Sequence, residues 1–398
     1  MKILIDGQTL LTPDINRGIG TYFRNCVEHL LANDFTNDFY LNTTRGEHLG
    51  HLSPWARAQL RVIERAAYDT RAPESHPGNY LAEIYSDMLH DDIEKEGIDL
   101  YWSPNALMGN VLLAERRDGA CRFAVTVFDL IFSVMRETYA KHLPPASFEA
   151  YDRKLEILER DYDLFLHISH HTRADFARTR AGERGQHVVT PLAAGDLFRP
   201  YPFPQVPVEN DYVLYPGGLD PRKNMARAVE AFAVLQSRHG DDERVRATRL
   251  CIVCHLEGAA ADELLGHAEG LGLGGKVTLT DFVEDDDLLA LYQKARCLFF
   301  PSLYEGFGLP ILEGLACGLP VAASNTSSLP EVGGEFATYF DPKDTSDMAD
   351  ALYRALQEPT DYESRLRRYE YARQFSWRKT ALSTLAAFDG CVRGVGRC

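Results

Sequence analysis

The sequence predicts an α/β protein built as two similar halves, each a mostly parallel sheet flanked by helices. Three observations carry this expectation. Short apolar runs alternate with helical stretches through the first half; four prolines crowd residues 200–207; and the same alternation restarts at Tyr212. The 398-residue length points the same way, because single hydrophobic cores stop growing at roughly 250–300 residues.

In the first half, residues 2–6 form an apolar strand that breaks into a loop at Arg17-Gly18-Ile19-Gly20. Phe23, Val27, Leu30 and Leu31 then recur at helical spacing behind Thr21, a suitable N-cap. Further strands are expected at 100–102, 123–128, 164–168 and 188–189, with helices near 80–96 and 147–160. Residues 55–67 read either as a helix with Arg57, Arg61 and Arg65 on one stripe or as a strand at 60–63. The prolines at 200, 202, 204 and 207 fit neither a helix interior nor a central strand, so this stretch is the linker. The second half opens with a strand at 212–215, a glycine turn and a helix from about 226 to 238, followed by strands at 249–254, 276–280 and 297–300.

Charge and cysteine usage bound the function. Lys and Arg number 42 against 58 Asp and Glu, a net charge of −16, and such a field repels nucleic acid and anionic membrane at long range. No uninterrupted apolar run approaches the about 18 residues of a membrane span, and the start turns acidic at Asp6, unlike a signal peptide, so a cytoplasmic location is expected. The eight cysteines are expected to be reduced. Cys251 and Cys254 have redox or half-zinc spacing, but they lie in the apolar run 250–254 with no second such pair and read as a buried strand.

Two further motifs are decoys. Gly270-Leu271-Gly272-Leu273-Gly274-Gly275-Lys276 satisfies a dinucleotide fingerprint, yet a helical stretch precedes it and a strand follows, which is the reverse of what phosphate binding requires. It reads as a helix C-terminal turn. Asp285-Asp286-Asp287 contains a metal-type Asp-x-Asp, but it precedes Leu288 and Leu289 at an expected helix start, where acidic residues suit the helix dipole.

The chemistry concentrates in two places. After the strand at 297–300 comes Glu305-Gly306-Phe307-Gly308-Leu309-Pro310, running into a short helix that Gly318 ends. This loop delivers backbone N–H groups and a positive dipole end, suited to an anionic or hydroxyl-rich ligand. Glu305 and Glu313 can face one ligand from loop and helix, and carboxylates accept well from vicinal hydroxyls; the plainer alternative is that both only cap or solvate the helix. The second place is Gly217-Gly218-Leu219-Asp220-Pro221-Arg222-Lys223-Asn224, where a fork and a point charge follow a glycine turn and together can neutralise a diphosphate without a metal. Alone, such a pair is a solvated helix start; at a strand's carboxyl end it sits where open α/β sheets bind ligands.

Carried by the Glu-x7-Glu stretch from Glu305 to Glu313, the turn ending at Asn224 and the continuation Ala322 to Val332, the chain resembles family 4 retaining glycosyltransferases of the GT-B fold over nearly its whole length. That fold implies two Rossmann-like domains facing across a cleft, here 1–203 for the acceptor and 204–374 for the nucleotide sugar, with a last helix, about 375–398, crossing back to the first. The resemblance implies that Glu305 contacts the donor sugar at the reaction centre, Glu313 holds the ribose, and Arg222 and Lys223 bind the leaving diphosphate. It also implies that Gly218, Gly306, Phe307, Gly308 and Leu309 line sugar and phosphate, Phe282 and Val283 border the base, and the loop at Gly18 and Gly20 closes over the phosphates. Asp129 is the acceptor-side candidate, with helix N-capping as its alternative role. Two departures stand out: Phe128 occupies the place of a family His, and Cys254-His255-Leu256-Glu257 replaces a glycine-rich strand end.

The activity so implied is metal-independent, retaining hexosyl transfer, mannosyl from GDP-mannose as first choice, to a glycan or lipid-linked saccharide. It resembles the assembly of bacterial O-antigen or capsule. The partners are a nucleotide sugar and that acceptor, with no cofactor and no nucleic acid, and with peripheral membrane association open. A nucleotide-sugar epimerase or phosphorylase of the same fold, and a non-catalytic nucleotide-sugar-binding protein, are the alternatives.

Overall fold

The central apolar runs become strands buried on both faces, which is why those runs are continuous rather than alternating. The computed structural model describes residues 1–12, 15, 18–43, 46–64, 78–107, 111–117, 119–179, 184–200, 211–256, 258–280 and 283–394. Among these, the first seven strands are β1 (Lys2–Asp6), β2 (Asp38–Thr43), β3 (Arg61–Glu64), β4 (Leu100–Ser103), β5 (Arg122–Val127), β6 (Leu164–His167) and β7 (Gln186–Val189). They form one parallel sheet in the order β3-β2-β1-β4-β5-β6-β7.

The second sheet holds β8 (Tyr212–Pro216), β9 (Arg249–Val253), β10 (Val277–Thr280), β11 (Cys297–Phe300), β12 (Val321–Ser324) and β13 (Thr338–Phe340). It is also parallel, in the order β10-β9-β8-β11-β12-β13. Counted from its first strand this is 3-2-1-4-5-6, the doubly wound order, and the chain reverses direction across the sheet between β8 and β11. At such a switch point the two strands' following loops diverge and leave a crevice at their carboxyl ends.

The chain folds into two compact units, residues 1–192 with 377–398 and residues 193–376. Segment 193–200, expected with the first domain, instead packs in the second unit. There Phe198 stands edge-on to Tyr292 at 5.4 Å, and Gln293 Nε2 donates to the Arg199 carbonyl at 2.9 Å. The expected linker falls almost wholly on 201–210, outside the described residues. The last helix, Trp377–Arg393, belongs to the first unit as expected: Trp377 packs on Tyr22, Phe388 on Trp102, and Thr380 donates to the Pro191 carbonyl at 2.5 Å.

Several local expectations are corrected. The first helix starts at Gly18, so Gly18 to Gly20 form its first turn instead of a loop, and Thr21 is internal rather than the N-cap. Gly20 is required there because a Cβ would run into the Ile15 backbone. Residues 54–64 split into a short helix, Pro54–Gln59, capped by Ser53, and edge strand β3. Ser53 and Pro54 supply a start signal, and Leu60 leaves the helix in an extended conformation. The two decoys resolve as expected: residues after Gly270 form the helix C-terminal turn with Gly272 and Gly275 at positive φ, and Asp285 begins the helix Asp285–Lys294. Cys251 and Cys254 are buried free thiols.

Candidate active site

The site is assembled from the two loops that diverge at the β8–β11 switch point. As the chain leaves β8, Gly217 N–H donates to the Val253 carbonyl at 3.3 Å, and the Tyr215 ring fills the space a Cβ on Gly217 would need. Asp220 caps the single turn Pro221–Lys223 by accepting from Arg222 N at 3.1 Å. Asn224 then takes a left-handed conformation, φ 64°, which its short polar side chain tolerates. Its buried amide donates to the carbonyls of Pro301 at 3.1 Å and Pro342 at 2.8 Å. Leu303 N–H donates to the Arg222 carbonyl at 2.7 Å and Tyr215 OH to the Lys223 carbonyl at 2.8 Å. The backbone carrying both cations is therefore tied directly to the exit of β11.

The β11 loop is held by the residues after β12. Ser327 accepts from Glu305 N at 3.0 Å, Ser328 Oγ lies 2.8 Å from the carbonyls of both Glu305 and Phe307, and Thr326 donates to the Leu303 carbonyl at 3.1 Å. This gives the stretch 322–332 a structural reason: its hydroxyls satisfy a loop that makes no sheet bonds. Gly308 has φ 111° and opens the helix Leu309–Ala316, with Pro310 in its first turn; a Cβ there would lie 2.7 Å from Leu329 Cδ2. Gly318 ends the helix at φ 76°. The first turn's N–H groups face out at the same end of the sheet as Arg222 and Lys223.

Glu305 is clasped by both cations. Lys223 Nζ lies 2.7 Å from Glu305 Oε1, and Arg222 Nη1 donates to Glu305 Oε2. Arg222 also reaches Asp220 Oδ2 through Nε at 3.2 Å and the Tyr304 carbonyl through Nη1 at 3.3 Å, while Lys223 Nζ sits 5.1 Å from the centre of the Phe300 ring. Burial by itself would raise the Glu305 carboxyl, but the charges of Lys223 and Arg222 and the hydrogen bond from Lys223 outweigh it and hold it down at about 2. Glu305 is thus an anion throughout the neutral range.

Glu313 lies one turn further along the helix, and its Oε2 accepts from Tyr292 OH at 2.8 Å. Val283 is half-buried in the connection after β10, and Phe282 lies outside the described residues. Around Gly218 a side chain would meet open space, so Gly217 and not Gly218 is the closely packed glycine of that turn. Gly18, Gly20 and Asp129 belong to the first unit, and Asp129 Oδ1 caps the turn beyond β5 by accepting from Ile131 N at 3.1 Å. Sequence reasoning missed Asp220 and Tyr292 as partners of the site. Asp220-Pro221 carried a capping signal, whereas nothing in the spacing of Tyr292 and Glu313 announced their contact. Among the described residues, no group of three or more His, Cys, Asp or Glu side chains converges in a way that could hold a metal, and no helix is long and apolar enough to cross a membrane.

Residues 202–375, which carry both loops of this site, match the family model described as Glycosyl transferases group 1. The matched stretch spans nearly all of the second unit, residues 193–376. Over 234 residues the chain is 33% identical to the O-antigen chain mannosyltransferase B of Escherichia coli, covering 56% of this chain and 60% of that relative. The chain thus spans less than two thirds of that curated relative. Sucrose-phosphate synthase from Thermosynechococcus elongatus superposes with a TM-score of 0.73 at 21% identity, over 99% of this chain and 100% of the other. HepE from Anabaena, solved in complex with UDP and glucose, gives 0.68 at 16% identity over 98% and 100%. The fold is accordingly that of the GT-B glycosyltransferases, two parallel-sheet Rossmann-like domains.

Proposed function

We propose that this protein is a retaining, metal-independent glycosyltransferase that moves a hexosyl group from a nucleotide sugar to a hydroxyl of a glycan or lipid-linked saccharide. The first choice is mannosyl from GDP-mannose, in the assembly of a surface polysaccharide. The observation that carries the reading is the clasp of Glu305 by Arg222 and Lys223 at the switch point of the second sheet. Similarity to an O-antigen chain mannosyltransferase supports the sugar, and the shared fold with a protein solved with UDP and glucose supports a nucleoside diphosphate donor.

Cleavage of a nucleotide sugar builds positive charge on the sugar ring and negative charge on the departing phosphate, and an enzyme gains rate by stabilising both in the transition state. In this reading the diphosphate joins Glu305 on Arg222 and Lys223, which stay beside both anions, and also takes the N-terminus of helix Leu309–Ala316. Two unit charges 4 Å apart attract by about 4 kcal/mol at an effective dielectric of 20, so a preorganised pair of cations supplies a stabilisation of the size a metal ion would otherwise give.

Glu305, kept ionised by its neighbours, then faces the cationic side of the sugar, and Glu313 takes the ribose hydroxyls. The bond from the anomeric carbon to phosphate breaks while the acceptor oxygen bonds to the same face, and the acceptor proton passes to the departing phosphate oxygen. Configuration is retained without a covalent enzyme intermediate.

The test is incubation with GDP-mannose, UDP-glucose, dTDP-rhamnose and ADP-glucose, with and without a mannose-terminated acceptor, alongside thermal shifts with GDP, UDP, dTDP and ADP. Release of nucleoside diphosphate with a product that keeps the donor's anomeric configuration supports the reading. Conversion of the nucleotide sugar without acceptor identifies an epimerase, release with phosphate as acceptor a phosphorylase, and binding without turnover a non-catalytic binder.

A further inference from the structure

We infer that Tyr292 is a positioning residue of the nucleotide site, its buried hydroxyl fixing the Glu313 carboxylate in the orientation that receives the vicinal hydroxyls of a ribose. The inference rests on the nucleotide-sugar reading above and deepens it. Tyr292 is 1% exposed, on the helix Asp285–Lys294, and its OH lies 2.8 Å from Glu313 Oε2. Its ring is locked from the side by Phe198, edge-on at 5.4 Å and 90°, and its neighbour Gln293 anchors that same segment through the Arg199 carbonyl at 2.9 Å. Burial, reinforced by the Glu313 charge, pushes the phenol well above its ordinary value, so the group remains a donor at any pH the protein survives.

A diol is gripped best by a carboxylate whose oxygens are already presented in one plane, because a freely rotating Glu loses rotamer freedom on binding. Tyr292 removes that loss beforehand by tying one oxygen to a rigid ring on a different element from Glu313 itself. Phe at this position fills the same space and donates nothing.

Calorimetric titration of wild type, Tyr292→Phe and Glu313→Ala with GDP and 2′,3′-dideoxy-GDP, and in parallel with UDP and 2′,3′-dideoxy-UDP, tests the inference. Wild type is expected to prefer the ribose form by at least about tenfold, the scale of a hydrogen bond to a charged group. In Tyr292→Phe the preference falls to about threefold or less with dideoxy affinity unchanged, and in Glu313→Ala it vanishes. A wild type that binds neither nucleotide, or both forms equally, overturns the ribose reading of Glu313 and the inference with it. A wild type that discriminates beside a Tyr292→Phe protein that discriminates equally, or that weakens both forms by one factor, overturns the role of Tyr292 alone.

Discussion

Lys223 Nζ stands 2.7 Å from Glu305 Oε1, a contact between residues 82 positions apart that joins the exit of one strand to the exit of its neighbour. Its consequence is a carboxylate that stays charged although it is buried, beside cations that are held ready for a stronger anion.

Because the Glu305 carboxyl is lowered from its ordinary 4.5 to about 2 in the folded protein, it contributes stability that is fully present above about 4.5 and is lost as pH falls toward 2. Glu305→Gln leaves two half-buried cations without their anion and is expected to cost about 3 kcal/mol at pH 7. The gap between the Tm values of wild type and variant should narrow steadily from pH 5 to pH 3. A gap independent of pH would show that the ion pairs contribute nothing.

Glu305→Ala and Lys223→Ala should each reduce glycosyl transfer by at least about a hundredfold, the scale of one lost transition-state contact. Arg222→Lys should also be strongly impaired, since the guanidinium fork serves Asp220, Tyr304 and Glu305 at once and an ammonium cannot span them. Steady-state rates with a saturating donor measure all three. Wild-type turnover in a folded Lys223→Ala protein would end the assignment of the cation pair.

Transfer should proceed undiminished in excess chelator, because the cation pair and the helix N-terminus take the charge of the leaving group in the proposed reaction. Assaying with EDTA and then with added manganese or magnesium tests this. A strict requirement for either ion contradicts the proposed electrostatics.

Gly308→Ala places a Cβ 2.7 Å from Leu329 Cδ2 on a backbone with φ 111°. It is expected to cost about 1–3 kcal/mol and to lower nucleoside diphosphate affinity by tilting the first turn of the helix. Chemical denaturation and calorimetry would check both effects. Unchanged stability would mean that the loop relaxes around the methyl group.

The Arg222-Lys223 pair and Glu305 were legible as chemistry because each follows an apolar strand and adjoins a glycine-containing loop, signals that lie within a dozen or so residues. The helix ends were legible for the same reason: Pro310 and Gly318 act on their own backbone. The start of the first helix at Gly18 was not, because what admits Gly20 there is the packed backbone of Ile15. Edge strand β3 was ambiguous because four residues, three of them exposed, carry too little periodicity, and only pairing with β2 selects the extended form.

By itself, the sequence determined two α/β halves and the residue types able to bind a diphosphate and hydroxyls, because strand, turn and helix signals are local. Tertiary structure alone decided that Arg222 and Lys223 meet Glu305, that Ser327 and Ser328 hold its loop, and that Tyr292 reaches Glu313. The physical reason is that such contacts depend on which strands become neighbours, and that order is set by packing the whole sheet.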